Sequence, residues 1–310
     1  MDLKAHVAAR ARDLGFHAIG FARAAPLIEE RERLERWLAE GCHAGMTYLE
    51  RLVDVRLDPT HRGMLEGART VVSLAMAHPL GDPDEGGVAT DLARFARGLD
   101  YHDVVGQRLR SLLADVKTVA PGVAGRALVD SAPLLERAWA VRAGLGWIGR
   151  NTCLVHPDLG SGLVLGELVL SVELEPDAPG EDRCGECRAC VEACPTEALR
   201  RSDGRVLDAR RCRSYWTVEA RGEAPLDLGD TLFGCDACQT VCPWNARAAD
   251  PPTPLAPLQR WRDVTLEDLV GMAPDRIDAL IRGTALARRG AVAFRASARR
   301  VVASRAQRSP

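Results

Sequence analysis

Cys184-x2-Cys187-x2-Cys190-x3-Cys194-Pro195 is the stretch on which the reading of this chain turns. Three thiolates at two-residue gaps wrap one four-iron cube, and the fourth cysteine points away to serve a second cube, as in bacterial two-cluster ferredoxins. A modified copy follows, Cys235-x2-Cys238-x3-Cys242-Pro243, with Cys212 placed upstream of its loop. Exchanging the remote ligands assigns Cys184, Cys187, Cys190 and Cys242 to one cluster, and Cys194, Cys212, Cys235 and Cys238 to the other. Two structural zinc sites are the alternative, since CxxC pairs also bind zinc tetrahedrally. The third closely spaced thiolate and the Cys-x3-Cys-Pro ending favour cubanes. Such a module is an electron wire, and a wire does not name its substrate.

Working outward, eight of the ten cysteines fall between positions 184 and 242. The chain has 310 residues, 46% hydrophobic and 27% charged, with a formal charge of −2. That length suggests about two domains with a real core, and the composition excludes a disordered chain. No run of about 18 uncharged apolar residues exists; the best candidate, 163–174, is broken by Glu167 and Glu173. The N-terminus has no basic region followed by an apolar one. The chain is therefore expected in the cytoplasm, where thiols stay reduced and clustered cysteines are metal ligands. Cys42 and Cys153 lie outside the module; Cys153 reads as a buried small apolar residue, and neither is given a function. Between 276 and 310 nine arginines face a single acid, Asp278, while the only lysines are Lys4 and Lys117. Phosphate contact and a solvated helix face both suit that basic end.

Ahead of the cysteines, helix and strand patterns alternate. Apolar spacing predicts helices over 3–14, 27–40 and 102–116, and another over 134–143 with Pro133 in its first turn. Strands are predicted over 70–77, 125–130, 152–156 and 162–172, the last two joined through Pro157-Asp158-Leu159-Gly160. The expectation is an α/β (α+β) domain over 1–175 with helices covering a sheet of unreadable strand order. An acidic, proline-containing stretch at 173–182 reads as a linker, and four prolines within 250–257 mark a second boundary. The division is thus 1–175, then a ferredoxin-like 2[4Fe-4S] domain over 176–248. A Pro-rich linker and basic helical tail, frayed at its end, complete it over 249–310.

No GxGxxG or P-loop signals a dinucleotide or ATP site. Residues 100–106 approach the Asp-x-His-x-x-Gly fingerprint of histidine-ligated cobalamin, but Gly106 comes one place late. Asp130, at a strand end before Ser131-Ala132-Pro133, suits a general acid. It equally suits a helix cap, which the residues alone favour.

Several segments taken together resemble the epoxyqueuosine reductase family. They are Phe95-Ala96-Arg97-Gly98-Leu99-Asp100-Tyr101-His102, Val129-Asp130-Ser131-Ala132-Pro133-Leu134-Leu135-Glu136-Arg137, Ala143-Gly144-Leu145-Gly146-Trp147-Ile148-Gly149-Arg150-Asn151-Thr152 and Cys242-Pro243-Trp244-Asn245. The likeness runs from near the N-terminus to about Asn245. It implies reductive removal of the epoxide oxygen from epoxyqueuosine at the tRNA wobble position, giving queuosine and water. It also implies base-off cobalamin between the first domain and two [4Fe-4S] clusters, with no histidine on cobalt. Asp130 matches the family's proton donor beside the cofactor, a role that calls for a raised pKa. His102 and Arg137 match positions facing the modified base; Arg56, Ser214 and Asp236 match cobalamin contacts. Arg295 and Arg299 lie in a tail that resembles the family's tRNA-facing element, where arginines would contact phosphates while the base enters a pocket. The implied partners are tRNA and an external low-potential donor of flavodoxin or ferredoxin type, with no membrane and a monomeric chain. Two departures stand out: Phe95 where the family usually has tyrosine, and Ala296 where asparagine is common after the arginine. A reductive dehalogenase-like enzyme is the nearest alternative, but such proteins are typically exported on a twin-arginine signal that is missing here. A bare electron carrier would have no use for the first domain.

Overall fold

The computed structural model describes residues 2–81, 87–199 and 205–308. Its first helix, α1 (Leu3–Asp13), is started by the Asp2 carboxylate, which accepts the amides of Lys4 and Ala5. It buries Val7 and Ala11 and stops before Gly15, whose φ of +81° suits a residue without a Cβ. The chain continues through β1 (Ala18–Arg23), α2 (Ile28–Ala39), α3 (Val53–Leu57), β2 (Thr70–Ala77) and α4 (Tyr101–Val119). Then come β3 (Gly125–Leu128), α5 (Glu136–Arg142), β4 (Trp147–Ile148), β5 (Leu154–Val155) and β6 (Leu163–Leu170).

Four strands form one sheet in the order β1-β2-β6-β3, every neighbouring pair antiparallel. All eight residues of β2 are buried, because helices cover both sides. Alternate side chains point to opposite faces. Val71 and Ala75 join Leu165, Val169 and Trp139 under α5. Val72, Leu74 and Met76 join Val7, Leu109 and Leu168 under α1 and α4. Helices over an antiparallel sheet make this an α+β layer, within the expected class.

Details differ from the sequence expectation. Strand β5 pairs with β4 in a separate two-stranded ribbon, while β6 joins the main sheet. The Pro157 turn does join β5 to β6, and it is closed by the His156–Gly160 bridge. Helix α5 begins at Glu136 behind the N-cap Leu135, so Pro133 lies in the preceding turn. The stretch read as a linker is strapped to the first domain. Asp177 accepts the Phe21 amide at 2.9 Å and the Lys4 ammonium at 2.6 Å, and the Gly180 amide donates to Val141.

The cysteine segment carries two short turns, α6 (Ala189–Glu192) and α7 (Ala237–Thr240). Three helices follow: α8 (Leu266–Gly271), α9 (Pro274–Ile281) and α10 (Gly290–Arg308). Instead of hanging free, they build a third core, in which Trp261, Leu269, Ile277 and Phe294 pack on Leu92, Ala96 and Phe233. The buried Trp261 indole donates to the Arg97 carbonyl at 2.8 Å. Helix α10 stays regular to Arg308, so the basic end is not frayed there. Among the described residues, no helix is long and apolar enough to cross a membrane.

Candidate active site and cluster cradle

Strand β3 ends at Leu128, and two residues later the backbone turns sharply: Asp130 has φ +38°, in the left-handed region. Its amide donates to Glu136 Oε1 at 2.6 Å, and its Oδ2 meets His102 Nε2 at 2.7 Å. His102 comes from the first turn of α4, where Asp100 caps the helix by accepting the His102 amide. The same Asp100 oxygen lies 2.6 Å from His102 Nδ1. Tyr101 stacks on the imidazole with ring centroids 4.1 Å apart, and its phenol is within electrostatic reach of Asp130.

The electrostatics follow from this chain of contacts. Hydrogen bonds to Asp100 and then to Asp130 push the His102 pKa up to about 9. Burial pushes Asp130 up, but the bond and charge of His102 outweigh it, so its carboxyl lies below the usual range. Burial and the neighbouring Asp130 charge push Glu136 up to about 7. Two expectations are therefore corrected. Asp130 caps no helix, since α5 starts six residues on, at Glu136, behind the N-cap Leu135, which makes no side-chain cap. Nor is its pKa raised: at neutral pH the shared proton sits on His102, with the Asp130 carboxylate against it.

The other expected site residues separate into distinct surroundings. Arg137 donates to the carbonyl of Thr152, itself held at φ +65°. Arg56 is buried, and its Nε has no partner among the described residues. Burial lowers its pKa while Tyr48 opposes that shift. Ser214 precedes the helical turn Tyr215–Glu219. Asp236 Oδ2 accepts the Arg94 amide at 2.7 Å and lies 3.7 Å from the Arg94 guanidinium. Arg295 donates to the Met272 carbonyl at 3.2 Å, whereas Arg299 is exposed. Phe95 packs edge-on against Tyr101 and beside Phe233, an apolar setting in which the missing hydroxyl would need its own partner.

Near the site, Tyr48 and Glu219 were not foreseen, and Arg288 was read only as part of the basic tail. Tyr48 is within electrostatic reach of Asp130 and Arg56, with burial raising its phenol. Arg288 pairs with Glu219 at 3.0 Å, and its charge helps to lower Asp130. The basic stretch was the available signal for Arg288; nothing local marks the other two.

Four of the eight module cysteines share one cavity. Cys184, Cys187, Cys190 and the remote Cys242 line one small cavity with Pro243 and Trp244. Burial and the three companion thiols push Cys190 up to about 11. In the second set, burial chiefly raises Cys212, Cys235 and Cys238; Cys194 and Cys212 are electrostatic neighbours, as are Cys235 and Cys238 with Cys212. Among the described residues, no three His, Cys, Asp or Glu side chains converge closely enough to hold a single ion. Four thiols around that cavity are a donor set that suits a cubane. The Trp147 indole donates to Cys184 Sγ at 3.4 Å, and Trp147 meets Trp244 edge-on. Cys153 lies just before β5 and is within electrostatic reach of Cys190 and Cys212, with burial raising its thiol to about 11.

Comparison with known proteins gives this geometry a family. Residues 183–245 match the model of the 4Fe-4S double cluster binding domain, and residues 56–131 match that of epoxyqueuosine reductase QueG, DUF1730. An epoxyqueuosine reductase of Gloeobacter violaceus is 37% identical over 309 residues, covering 95% of this chain and 94% of that protein. One from Leadbetterella byssophila is also 37% identical, over 86% of this chain and 90% of its own. The chain belongs to the epoxyqueuosine reductase family. It is accordingly an oxidoreductase with a 4Fe-4S binding domain. A solved selenomethionine-labelled epoxyqueuosine reductase superimposes with a TM-score of 0.89 at 29% identity, over 97% of this chain and 81% of the other. A structure of such a reductase with a tRNA-Tyr epoxyqueuosine-modified stem loop has a TM-score of 0.87 at the same identity, with 97% and 81% covered. A Bacillus subtilis relative, at 28% identity and TM-score 0.88 with 97% and 81% covered, has its catalytic aspartate loop swung out of the active site.

Proposed function

We propose that this chain deoxygenates epoxyqueuosine to queuosine at the wobble position of tRNA, with Asp130 as the proton donor. The observation that carries the reading is the Asp100–His102–Asp130 relay at the end of β3, whose two contacts span 2.6 and 2.7 Å. Converting an epoxide to an alkene and water consumes two electrons and two protons. Protonation is needed because an alkoxide is a poor leaving group near neutral pH. His102 carries a proton at neutral pH, Asp130 takes it up and passes it to the departing oxygen, and solvent recharges His102 so that the same route delivers the second proton. Arg137, beside this turn, is assigned to the modified base together with His102. The relative bound to a modified stem loop supports tRNA as the substrate, and exposed Arg299 with Arg295 extends the contact to phosphates.

The first domain, 1–175, holds cobalamin in this reading, 176–248 the clusters, and 249–310 the tail. The buried Arg56 nitrogen lacking a partner among the described residues fits a polar cofactor edge, beside Tyr48. Asp130, Ser214 and Asp236 complete the assigned contacts. When bound, base-off cobalamin supplies low-potential cobalt as the immediate reductant. The two cysteine sets would hold [4Fe-4S] clusters, whose chemistry is one-electron transfer from a flavodoxin- or ferredoxin-type donor. The chain works as a cytoplasmic monomer.

The test is anaerobic: add cobalamin, desalt, measure iron, sulfide and cobalt, then supply epoxyqueuosine tRNA and a strong reductant. About eight iron per chain, one retained cobalamin and queuosine formation are expected. Iron without cobalamin or turnover would reduce the chain to an electron carrier, and zinc in place of iron would sink the mechanism.

A further inference from the structure

We propose that Glu136 is a positioning residue whose carboxylate latches the Asp130 turn, holding the aspartate against His102. The proposal rests on the reading of Asp130 as proton donor and adds a device that sets it in place. Left-handed backbone at Asp130, φ +38°, is unfavourable for a residue with a Cβ, so something must hold it. Within the turn itself the supports are modest: the Ala132 amide reaches Val129 at 3.3 Å, and the Leu134 amide reaches Ala132 at 2.8 Å. The one bond placed on the strained residue's own amide is the 2.6 Å bond to Glu136 Oε1.

Glu136 makes that grip from a fixed base. It opens α5, whose Ala138, Trp139 and Ala140 are buried on the sheet. The groups facing its carboxyl come from three elements besides its own neighbour Arg137: Asp130 in the turn, His102 on α4 and Glu167 on β6. Glu167 is fully buried beneath α5, paired in register with Ser73, whose hydroxyl it accepts at 3.2 Å. Its other oxygen has no partner among the described residues, and burial raises its pKa well above the usual range, which keeps it neutral. Glu136 is thus the carboxyl whose charge changes near neutrality, at about 7. Ionised, it is the stronger acceptor for the Asp130 amide; protonated, it loosens. The latch is therefore tight above about pH 7 and slackens as pH falls.

Hydrogen exchange of residues 129–135 in the full cluster-loaded chain, corrected for intrinsic rates between pH 6 and 8, reads the latch without turnover. Wild type is expected to gain protection at Asp130 as pH rises through 7. Glu136→Gln keeps an accepting oxygen but cannot titrate, so its protection stays and loses the pH dependence. Glu136→Ala is expected to exchange at least tenfold faster, with kcat down at least tenfold and KM within twofold, and Glu136→Gln is expected to restore most of kcat. Wild-type protection in Glu136→Ala, or an unchanged pH dependence in Glu136→Gln, overturns the latch. Asp130→Asn separates the two ideas: full turnover there defeats the proton-donor reading, whereas the exchange results judge the latch alone.

Discussion

The centre of the sheet and the turn that follows β3, which are linked by the pairing of β3 with β6, are built on opposite terms. Strands β2 and β6 pair over eight register positions, and β2 is buried throughout. The turn places one residue at φ +38°, leaves the Asp130 side chain 38% exposed, and relies on three acids and a histidine for its shape. Stability is concentrated in the first region, and the proposed chemistry falls in the second. Substitutions in the sheet should therefore unfold the chain, whereas substitutions in the turn should leave a folded but idle protein. A third region, the basic C-terminal helix, mixes both behaviours, since some of its arginines brace the fold and others face water.

The sharpest way to break the contrast is at Trp139, fully buried where α5 meets the sheet. Trp139→Ala is expected to cost about 3–5 kcal/mol, read by denaturant unfolding. A next, smaller effect is expected at Arg300, which donates to the carbonyls of Gly229, at 2.7 Å, and Thr231. Arg300→Ala should lose roughly 1–3 kcal/mol. Arg299→Ala should leave stability within about 0.5 kcal/mol yet lower the salt slope of tRNA binding by about one. Equal stability losses at both positions would erase the distinction between brace and contact. The smallest effect concerns pH. His102 is raised by its partners to about 9, so the ion pair with Asp130 is complete below the ordinary histidine value and lost as pH rises through about 9. Turnover should fall across that range, and an NMR titration of the imidazole should show the same midpoint.

Legibility in the sequence followed the range of each interaction. The cysteine sets were readable because ligand spacing is local, and β2 because an apolar run buried on both faces has few other destinations. Strand β1 carried no comparable run. Its Gly20 is there because a Cβ would lie 1.9 Å from the Ala143 carbonyl oxygen, a contact that only the fold reveals. Pro133 was read as a helix start, but tertiary demands on the Asp130 turn moved the start to Glu136. The Asp130–His102 contact joins residues 28 apart, so its electrostatics, and the lowered aspartate, could not be inferred from the strand end alone. The arginine-rich tail was visible as composition. That Arg289 and Arg300 spend their donors on backbone carbonyls of Ala220, Gly229 and Thr231 was not.

The most direct test is single-turnover conversion of epoxyqueuosine tRNA by Asp130→Asn, with iron, cobalamin and unfolding measured on the same preparation. The expected result is wild-type cofactor content and stability with conversion slowed at least about 10²-fold. Conversion at the wild-type rate would contradict the assignment of Asp130 and, with it, the division of labour between sheet and turn.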